Sequence, residues 1–291
     1  MSQKHPIISV TGSSGAGTTS IRKTFEQIFR REKINAAFIE GDSFHRYDRK
    51  GIQLLMQEEA AKGNNHFSHF GPAANLLEEL EATFKTYGET GRARSRHYVH
   101  DASEAALYGG SPGTFTPWED LTEGTDLLFY EGLHGALVTE TRDIAKHVDF
   151  KLGVVPVINL EWIQKIDRDR SARGHTSQAI TETILRRMPD YVHYICPQFT
   201  QTDINFQRVP TVDTSNPFIA RTIPTADESI VIIRFRNPRP IDFPYLLSMI
   251  KESFMSRSNS IVIPGGKLDL AMQLILSPLI LQLVERKRRA H

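Results

Sequence analysis

Residues 7–19 read Ile-Ile-Ser-Val-Thr-Gly-Ser-Ser-Gly-Ala-Gly-Thr-Thr. An apolar run, Ile7 to Val10, passes into a glycine-rich loop, Gly12 to Thr19, and the loop opens onto a helix-like stretch from Ile21 to Arg31. A strand, a glycine loop and a helix in that order turn successive backbone N–H groups toward one point, and the helix N-terminus adds its partial positive charge there. A triphosphate is the expected guest. Gly12, Gly17 and Thr19 follow the template G-x-x-x-x-G-K-[ST], with Ser13, Ser14, Gly15 and Ala16 between the glycines and Ser20 just beyond, but the lysine position holds Thr18. Thr19 occupies the place whose hydroxyl commonly binds Mg²⁺. The cation that the missing lysine would supply has to come from elsewhere, and Lys165 is the candidate.

Outward from that loop, strand-like and helix-like segments alternate, which favours an α/β fold with a largely parallel sheet. Strands are expected at Ile7–Val10, Ala36–Ile39, Asp126–Tyr130, Phe150–Val155, Val209–Asp213 and Ile230–Phe235. Helices are expected at Thr19–Glu32, Leu54–Lys62, Ala73–Tyr87, Leu160–Arg173, Gln178–Arg187, Tyr245–Met255 and the C-terminal segment. Residues 87–122 are rich in Gly, Pro, Ser and Thr without clear periodicity and read as an excursion from the sheet. The expectation is one domain over residues 1–291 with that stretch as a long insertion.

Composition narrows the function classes. At 40% hydrophobic and 24% charged, the chain is rich enough in apolar residues for a large core and nothing in it points to disorder. Lys and Arg number 35 against 34 for Asp and Glu, so the broad basic surface that nucleic acid requires is not indicated. The single cysteine, Cys196, forbids an internal disulfide and suits a reducing cytoplasm. No signal-like apolar run follows Met1 to Pro6. Leu268 to Val284 is the most membrane-like stretch, but Asp269, Gln273, Pro278 and Gln282 interrupt it. It reads as a buried helix running into a basic tail, and no membrane partner is expected.

In open parallel sheets, chemistry gathers just beyond the carboxyl ends of the strands. Glu131 ends the apolar run Leu127 to Tyr130, a position that holds Mg²⁺ directly or through water in phosphate-loop proteins, and that otherwise merely caps the next helix. Asp42 follows another strand end and is itself followed by His45, Arg46 and Arg49. A carboxylate among basic side chains pairs a proton acceptor with an anion clamp. On a helix over Asn159 to Gly174, Lys165, Arg168, Asp169 and Arg173 share one side while Leu160, Ile163 and Ile166 fall mostly on the other. Such a run is usually a solvated face with internal ion pairs; the loop's missing cation favours Lys165 beside a transferring phosphoryl group, with Asp169 holding a metal or orienting a base. A third basic cluster, Arg92, Arg94, Arg96, His97, Tyr98 and His100, lies in the insertion, where a flexible basic loop is the plain alternative. His66 and His69 without a third ligand do not make a zinc site.

Six stretches in order carry a resemblance: the loop Gly12 to Thr19, Glu40-Gly-Asp-Ser-Phe-His-Arg-Tyr47, Arg96-His-Tyr-Val-His100, Phe129-Tyr-Glu-Gly-Leu-His134, Asn159-Leu-Glu-Trp-Ile-Gln-Lys165 and Val209-Pro-Thr-Val-Asp-Thr-Ser-Asn-Pro217. Together they closely resemble the bacterial phosphoribulokinases, from about Lys4 to the C-terminal helix. The resemblance implies a P-loop nucleotide-kinase-like, mixed, mainly parallel sheet flanked by helices. It also implies transfer of the γ-phosphoryl group of ATP to the 1-hydroxyl of D-ribulose 5-phosphate in the Calvin cycle, with Mg²⁺. Position by position, Asp42 resembles the base, Glu131 and Asp169 the Mg²⁺-associated acids, and Gly12 to Ser20 the ATP site. His45, Arg49, Tyr98, His100, Arg168 and Arg173 match the surroundings of the sugar phosphate, and Lys165 lies near the transferring phosphate. Thr18 in place of lysine is shared with this bacterial class.

The family's plant-type branch is switched by thiols near the phosphate loop, whereas that loop carries no cysteine here. The bacterial branch implies NADH as activator, AMP as inhibitor and a homo-oligomer as large as an octamer. Arg31, Arg187, Arg234 and Arg257 are candidates for an effector site between subunits, each equally readable as a surface arginine. Phosphoribulokinase-like kinases for another sugar phosphate, and a non-catalytic nucleotide sensor, remain alternatives; the acids Asp42, Glu131 and Asp169 count against the sensor, which needs no base.

Overall fold

The computed structural model describes residues 4–13, 18–171, 176–219 and 222–290. Its central strand is β1 (Ile7–Thr11), buried along its whole length, as befits a strand covered on both faces. Helix α1 (Thr18–Arg31) follows and sets Ile21, Phe25 and Ile28 into the core at helical spacing, with Arg30 and Arg31 in the last turn, where cations are favoured. Next along the chain come β2 (Ala36–Glu40), α2 (Arg49–Ala61), α3 (Leu77–Thr90), β3 (Arg94–Ser95), α4 (Ala102–Tyr108), β4 (Glu119–Asp120) and β5 (Leu127–Gly132). The remainder is β6 (Phe150–Val155), α5 (Ile158–Ser171), α6 (Ser177–Asp190), β7 (Ile204–Pro210), β8 (Ser229–Phe235), α7 (Phe243–Met249), β9 (Phe254–Arg257), β10 (Ser260–Pro264) and α8 (Leu268–Ala290).

Eight strands form one sheet in the order β2-β5-β1-β6-β7-β8-β10-β9. Strands β2, β5, β1, β6 and β7 run parallel, and β8, β10 and β9 extend the sheet antiparallel. The chain thus forms the mixed, mainly parallel sheet flanked by helices that its sequence implies. One face is covered by α1, α7 and α8 through side chains such as Phe25, Leu246, Met272, Leu276 and Ile280. Leu77, Leu80, Phe84 and Tyr87 of α3 cover the other. Helix α8 is long and apolar enough to cross a membrane by composition, but Ala271, Met272, Ile275, Leu276, Ile280 and Val284 are buried in this protein's own core.

Several boundaries differ from the sequence reading, each for a local reason. Helix α2 begins at Arg49 rather than Leu54, because the Asp48 carboxylate caps it, accepting from Gly51 N at 2.7 Å. Ala73 and Ala74 belong to a separate turn, and α3 runs on to Thr90, where Gly91 closes it with φ of +72°. The strand expected at Val209–Asp213 is β7, which begins five residues earlier and ends three earlier: Ile204 and Phe206 face the core between the more polar Asn205 and Gln207. Tyr245–Met255 is not one helix; α7 starts on an Asp242 cap and stops at Met249, Glu252 turns with φ of +66°, and β9 follows. Strand β10, unexpected from sequence, pairs with β8 on one side and β9 on the other. Within residues 87–122 the structure holds α4, capped by Asp101, and the β3–β4 ribbon, which is separate from the eight-stranded sheet.

Candidate active site

Strands β1, β2 and β5 end in register, Val10 opposite Glu131 and Glu131 opposite Glu40. Gly41 and Gly132 come next. A Cβ on Gly132 would lie 2.6 Å from the Gly41 Cα, and one on Gly41 would lie 2.7 Å from the Gly132 Cα, so the two strand ends approach this closely only because both residues lack side chains. Asp42 is thereby brought beside the end of β5.

Asp42 sits in a 3-10 turn, Gly41–Phe44, with 41% of its side chain open to solvent. Its Oδ1 is 3.2 Å from His45 Nε2 and its Oδ2 is 3.3 Å from His100 Nε2. The second nitrogen of His45, Nδ1, is 2.8 Å from Asn75 Oδ1. Asn75 Nδ2 donates to the carbonyls of Gly71 and His69 at 2.7 and 2.8 Å, which turns its oxygen toward His45. Both His45 nitrogens therefore face oxygen atoms, one of the Asp42 carboxylate and one of the Asn75 amide. Burial pushes the Asp42 carboxyl up, but the charges and hydrogen bonds of His45 and His100 outweigh it and hold the group well below the usual carboxylate range. The result is an ionised carboxylate that solvent, and hence a hydroxyl, can reach.

The insertion is docked against this turn. Arg49 Nη2 donates to His100 O at 2.8 Å, and Arg49 N donates to Gly113 O at 2.8 Å. Tyr98 stands edge-on to His100 and to Phe115, at 4.8 and 5.2 Å between ring centroids. Burial raises the Tyr98 phenol, with Arg49 opposing. Arg96 does most of the anchoring: Nε donates to Ser43 O at 2.8 Å, Nη2 donates to His45 O at 2.7 Å, and the guanidinium lies 3.7 Å from the Phe115 ring centroid and 4.8 Å from that of Trp118.

On α5, Glu161, Lys165 and Asp169 are buried, which removes the reading of a solvated face for them, while Asp167 and Arg170 are exposed. Lys165 is 8% exposed and Asp169 5%. Lys165 Nζ donates to Asp169 Oδ2 at 2.5 Å, while Arg168 Nε and Nη2 both donate to Asp169 Oδ1 at 3.1 Å. Asp169 thus spends both oxygens on cations and positions Lys165. Burial lowers the Lys165 ammonium, Arg187 lowers it further and Asp169 opposes them, leaving it at about 8. One turn earlier, Glu161 accepts a hydrogen bond from the hydroxyl of Ser13 at the start of the phosphate loop, and burial raises its carboxyl. Glu161, Lys165 and Arg187 line a cavity with Phe70, Trp162 and Tyr191.

Ser14, Gly15, Ala16, Gly17 and Arg173 lie outside the described residues, as do the side chains of Thr18, Thr19 and Ser20; the backbone of Thr18 to Ser20 opens α1. Gly12 N donates to Gly132 O at 3.3 Å. No cluster of three His, Cys, Asp or Glu side chains suited to a metal occurs among the described residues. Glu131 stands at the end of β5 in register with Val10 of β1 and Glu40 of β2, and Mg²⁺ that arrives with a nucleotide needs only one or two carboxylates beside phosphate oxygens and water. Of the arginines considered for effectors, Arg31 ties α1 to α8 through Gln273 and Ser277. Arg234 and Arg257 are exposed and flank Ser260 across β8, β10 and β9. Arg187 lies in the cavity beside Lys165, its guanidinium 5.1 Å from the Phe70 ring centroid.

Asn75, Glu161 and the anchoring part played by Arg96 were not legible as site features. Glu161 and Lys165 are spaced i, i+4, so a count of acids as well as cations along α5 points to Glu161. Asn75, 2% exposed, carries no motif.

A family model described as "Phosphoribulokinase / Uridine kinase family" matches residues 7–215. A phosphoribulokinase of Nitrobacter vulgaris is 70% identical over 290 residues, spanning 100% of both chains, and one of Xanthobacter flavus is 71% identical over the same span. Among solved structures, a phosphoribulokinase from Rhodobacter spheroides superposes with a TM-score of 0.91 at 61% identity, covering 99% of this chain and 100% of the other.

Proposed function

We propose, from the premise that this chain belongs to the phosphoribulokinase family, how its own residues carry out the family's reaction. The protein is an ATP-dependent phosphotransferase that converts D-ribulose 5-phosphate to ribulose 1,5-bisphosphate, the step that supplies the Calvin cycle with its carbon dioxide acceptor. Asp42 is the base: His45 and His100 keep its carboxylate ionised and aimed, and it receives the proton of the 1-hydroxyl as that oxygen attacks the γ-phosphorus. The observation that carries this assignment is a carboxylate, partly open to solvent, held between two imidazoles just beyond the end of β2.

Lys165 supplies the cation that the phosphate loop lacks at Thr18, and Asp169 holds it in place. Glu161 steadies Ser13 at the mouth of the loop, whose residues Gly12 to Ser20 take the ATP phosphates. Arg49, Arg168 and Arg173, with His45, Tyr98 and His100, enclose the sugar phosphate. Glu131 and Thr19 would hold Mg²⁺, which would supply charge neutralisation at the phosphates, and Asp169, whose oxygens Lys165 and Arg168 occupy, would join them only where one of those cations moves off. We further propose one domain over the full chain, a cytoplasmic homo-oligomer without thiol control, NADH activation and AMP inhibition, with Arg31, Arg187, Arg234 and Arg257 as effector contacts. The exposed Arg234 and Arg257, on β8 and β9 to either side of β10, support the last point.

The test is ADP release from Mg²⁺-ATP with ribulose 5-phosphate, with and without NADH, against uridine and pantothenate. Turnover on the pentose phosphate alone, raised by NADH, is the expected result. Turnover on uridine or pantothenate instead overturns the substrate; turnover indifferent to NADH overturns the regulation.

A further inference from the structure

We propose that His69 is a further substrate-contacting residue, its imidazole hydrogen-bonding an uncharged oxygen of the acceptor sugar next to the hydroxyl that Asp42 addresses. The inference rests on the kinase reading above. The His69 ring centroid lies 4.5 Å from that of His45, the planes inclined by 42°. The charges of His45, Arg187 and Asp42 all act on it, and Arg187 in turn acts on Lys165. His69 is therefore the side chain on which both halves of the site bear, the half that holds the base and the half that holds the cation for the transferring phosphoryl group.

Its backbone is pinned from three directions. Asn75 Nδ2 donates to His69 O at 2.8 Å. Ser68 Oγ donates to Asp190 Oδ2 at 2.7 Å and accepts from Phe70 N at 3.1 Å. His134 Nε2 lies 2.9 Å from Phe70 O. Against this backdrop of satisfied groups, His69 Nδ1 is buried with no hydrogen-bond partner among the described residues. A buried polar atom left without a partner carries its desolvation penalty with nothing to offset it. A rigid segment that keeps such an atom beside a base is arranged for a ligand.

Charge decides which part of the ligand. Burial, then the neighbouring His45 and Arg187, hold the His69 imidazole well below its ordinary value, with Asp42 opposing, so the ring is neutral at neutral pH. A neutral imidazole has one N–H and one lone pair. It matches a hydroxyl or carbonyl oxygen, whereas phosphate oxygens are better matched by Arg49, Arg168 and Lys165. A ketose phosphate presents both kinds of oxygen near its 1-hydroxyl, the C2 carbonyl on the adjacent carbon and the C3 hydroxyl one carbon further. If the ring served only to pack against His45, its nitrogens would be superfluous.

His69→Phe keeps a ring against His45 and removes both nitrogens, and His69→Asn restores a hydrogen-bonding group. Steady-state kinetics with ribulose 5-phosphate, its C3 epimer xylulose 5-phosphate, and ATP separate the possibilities. For His69→Phe, kcat/KM for ribulose 5-phosphate is expected to fall roughly 10- to 100-fold, the span of one hydrogen bond to a buried polar group. The KM for ATP stays within about twofold, the preference over the epimer shrinks by a similar factor to the loss in kcat/KM, and His69→Asn recovers part of the loss. A fall below about threefold, an unchanged epimer preference, or an equal loss toward ATP overturns the proposal. Should His69→Phe fail to fold, ¹⁵N spectra of the imidazoles in the unmodified enzyme decide: the His69 Nδ1 signal shifts on adding ribulose 5-phosphate and not on adding inorganic phosphate, and the absence of a shift overturns it. Failure of the kinase reading is distinguishable, because the unmodified enzyme would then turn over no pentose phosphate, and the proposal falls with it.

Discussion

On the proposed assignment, protonation of Lys165 is expected to set the alkaline limit of turnover, and Asp169 to determine where that limit falls. With the ammonium at about 8, kcat/KM for the free enzyme is expected to be level below that pH and to fall tenfold per unit above it. Stability runs the other way. The folded value lies below the unfolded value of about 10.4, so between the two the unfolded chain binds more protons and the fold gains stability as pH rises. Activity and stability therefore diverge across the same window, a signature that a general alkaline collapse lacks. Removing the Asp169 charge lowers the limit. A unit charge about 4 Å away through an effective dielectric of about 20 is worth about 4 kcal/mol, or about three pH units. Arg168 shares the carboxylate, which reduces its hold on Lys165, so Asp169→Asn should move the limb down by about one to two units. Lys165→Arg should abolish the limb, since a guanidinium keeps its proton throughout, and Lys165→Met should lower kcat roughly 10²- to 10³-fold. The assay is coupled ADP release at constant ionic strength from about pH 6.5 to about pH 10, beside thermal unfolding in the same buffers. An unchanged limb in Lys165→Arg, or an upward move in Asp169→Asn, refutes the assignment.

Asp42→Asn should reduce kcat roughly 10²- to 10⁴-fold while leaving the dissociation constant for ATP within about twofold, measured by equilibrium binding; retention of more than a tenth of the rate removes Asp42 from the role of base. Asn75→Ala deletes the acceptor of His45 Nδ1 and two donors to backbone carbonyls in a buried site, at a cost of about 2–4 kcal/mol. Denaturant unfolding should show it as a lower midpoint with an unchanged slope, and a loss under about 1 kcal/mol contradicts the network. Gly132→Ala places a methyl group within 2.6 Å of the Gly41 Cα, so the turn bearing Asp42 must move away from β5; kcat should fall at least tenfold for about 1–3 kcal/mol of lost stability. A variant with wild-type kcat would mean that the approach of the two strand ends does not set the position of the base.

How much of the fold can be read without coordinates depends on where each element gets its stability. Strands β1, β2, β5 and β6 are largely apolar runs legible in composition alone, β1 buried along its whole length and the edge strand β2 on alternate residues, and α1 carries its own periodicity in Ile21, Phe25 and Ile28. Strand β9 has no such local signal, and β10 carries only the short β-branched run Ile261 to Ile263. Ser260, Phe254 and Arg257 look like surface residues, and only the open edge of β8 makes a pairing partner for Ser260 to Pro264. The early start of α2 was in principle legible, since Asp48 is a capping residue placed before the helix, but the apolar period begins later and draws attention to Leu54.

The site divides along the same line, between chemistry that a motif announces and chemistry that packing creates. Asp42, His45 and His100 are recognisable by residue type, yet nothing in their order shows that both imidazoles meet one carboxylate, because that requires the insertion to return and Arg96 to clasp Ser43 and His45. The Thr18 and Lys165 exchange goes further. A lysine in the phosphate loop would stand in solvent and backbone N–H groups and keep its ordinary affinity for protons. A lysine on α5, buried at 8% exposure between Asp169 and Arg187, is held at one place but gives up its proton at about 8. On the proposed assignment, moving the cation from loop to helix trades a permanent charge for a fixed position, and turnover is expected to depend on pH through a residue that no phosphate-loop motif contains.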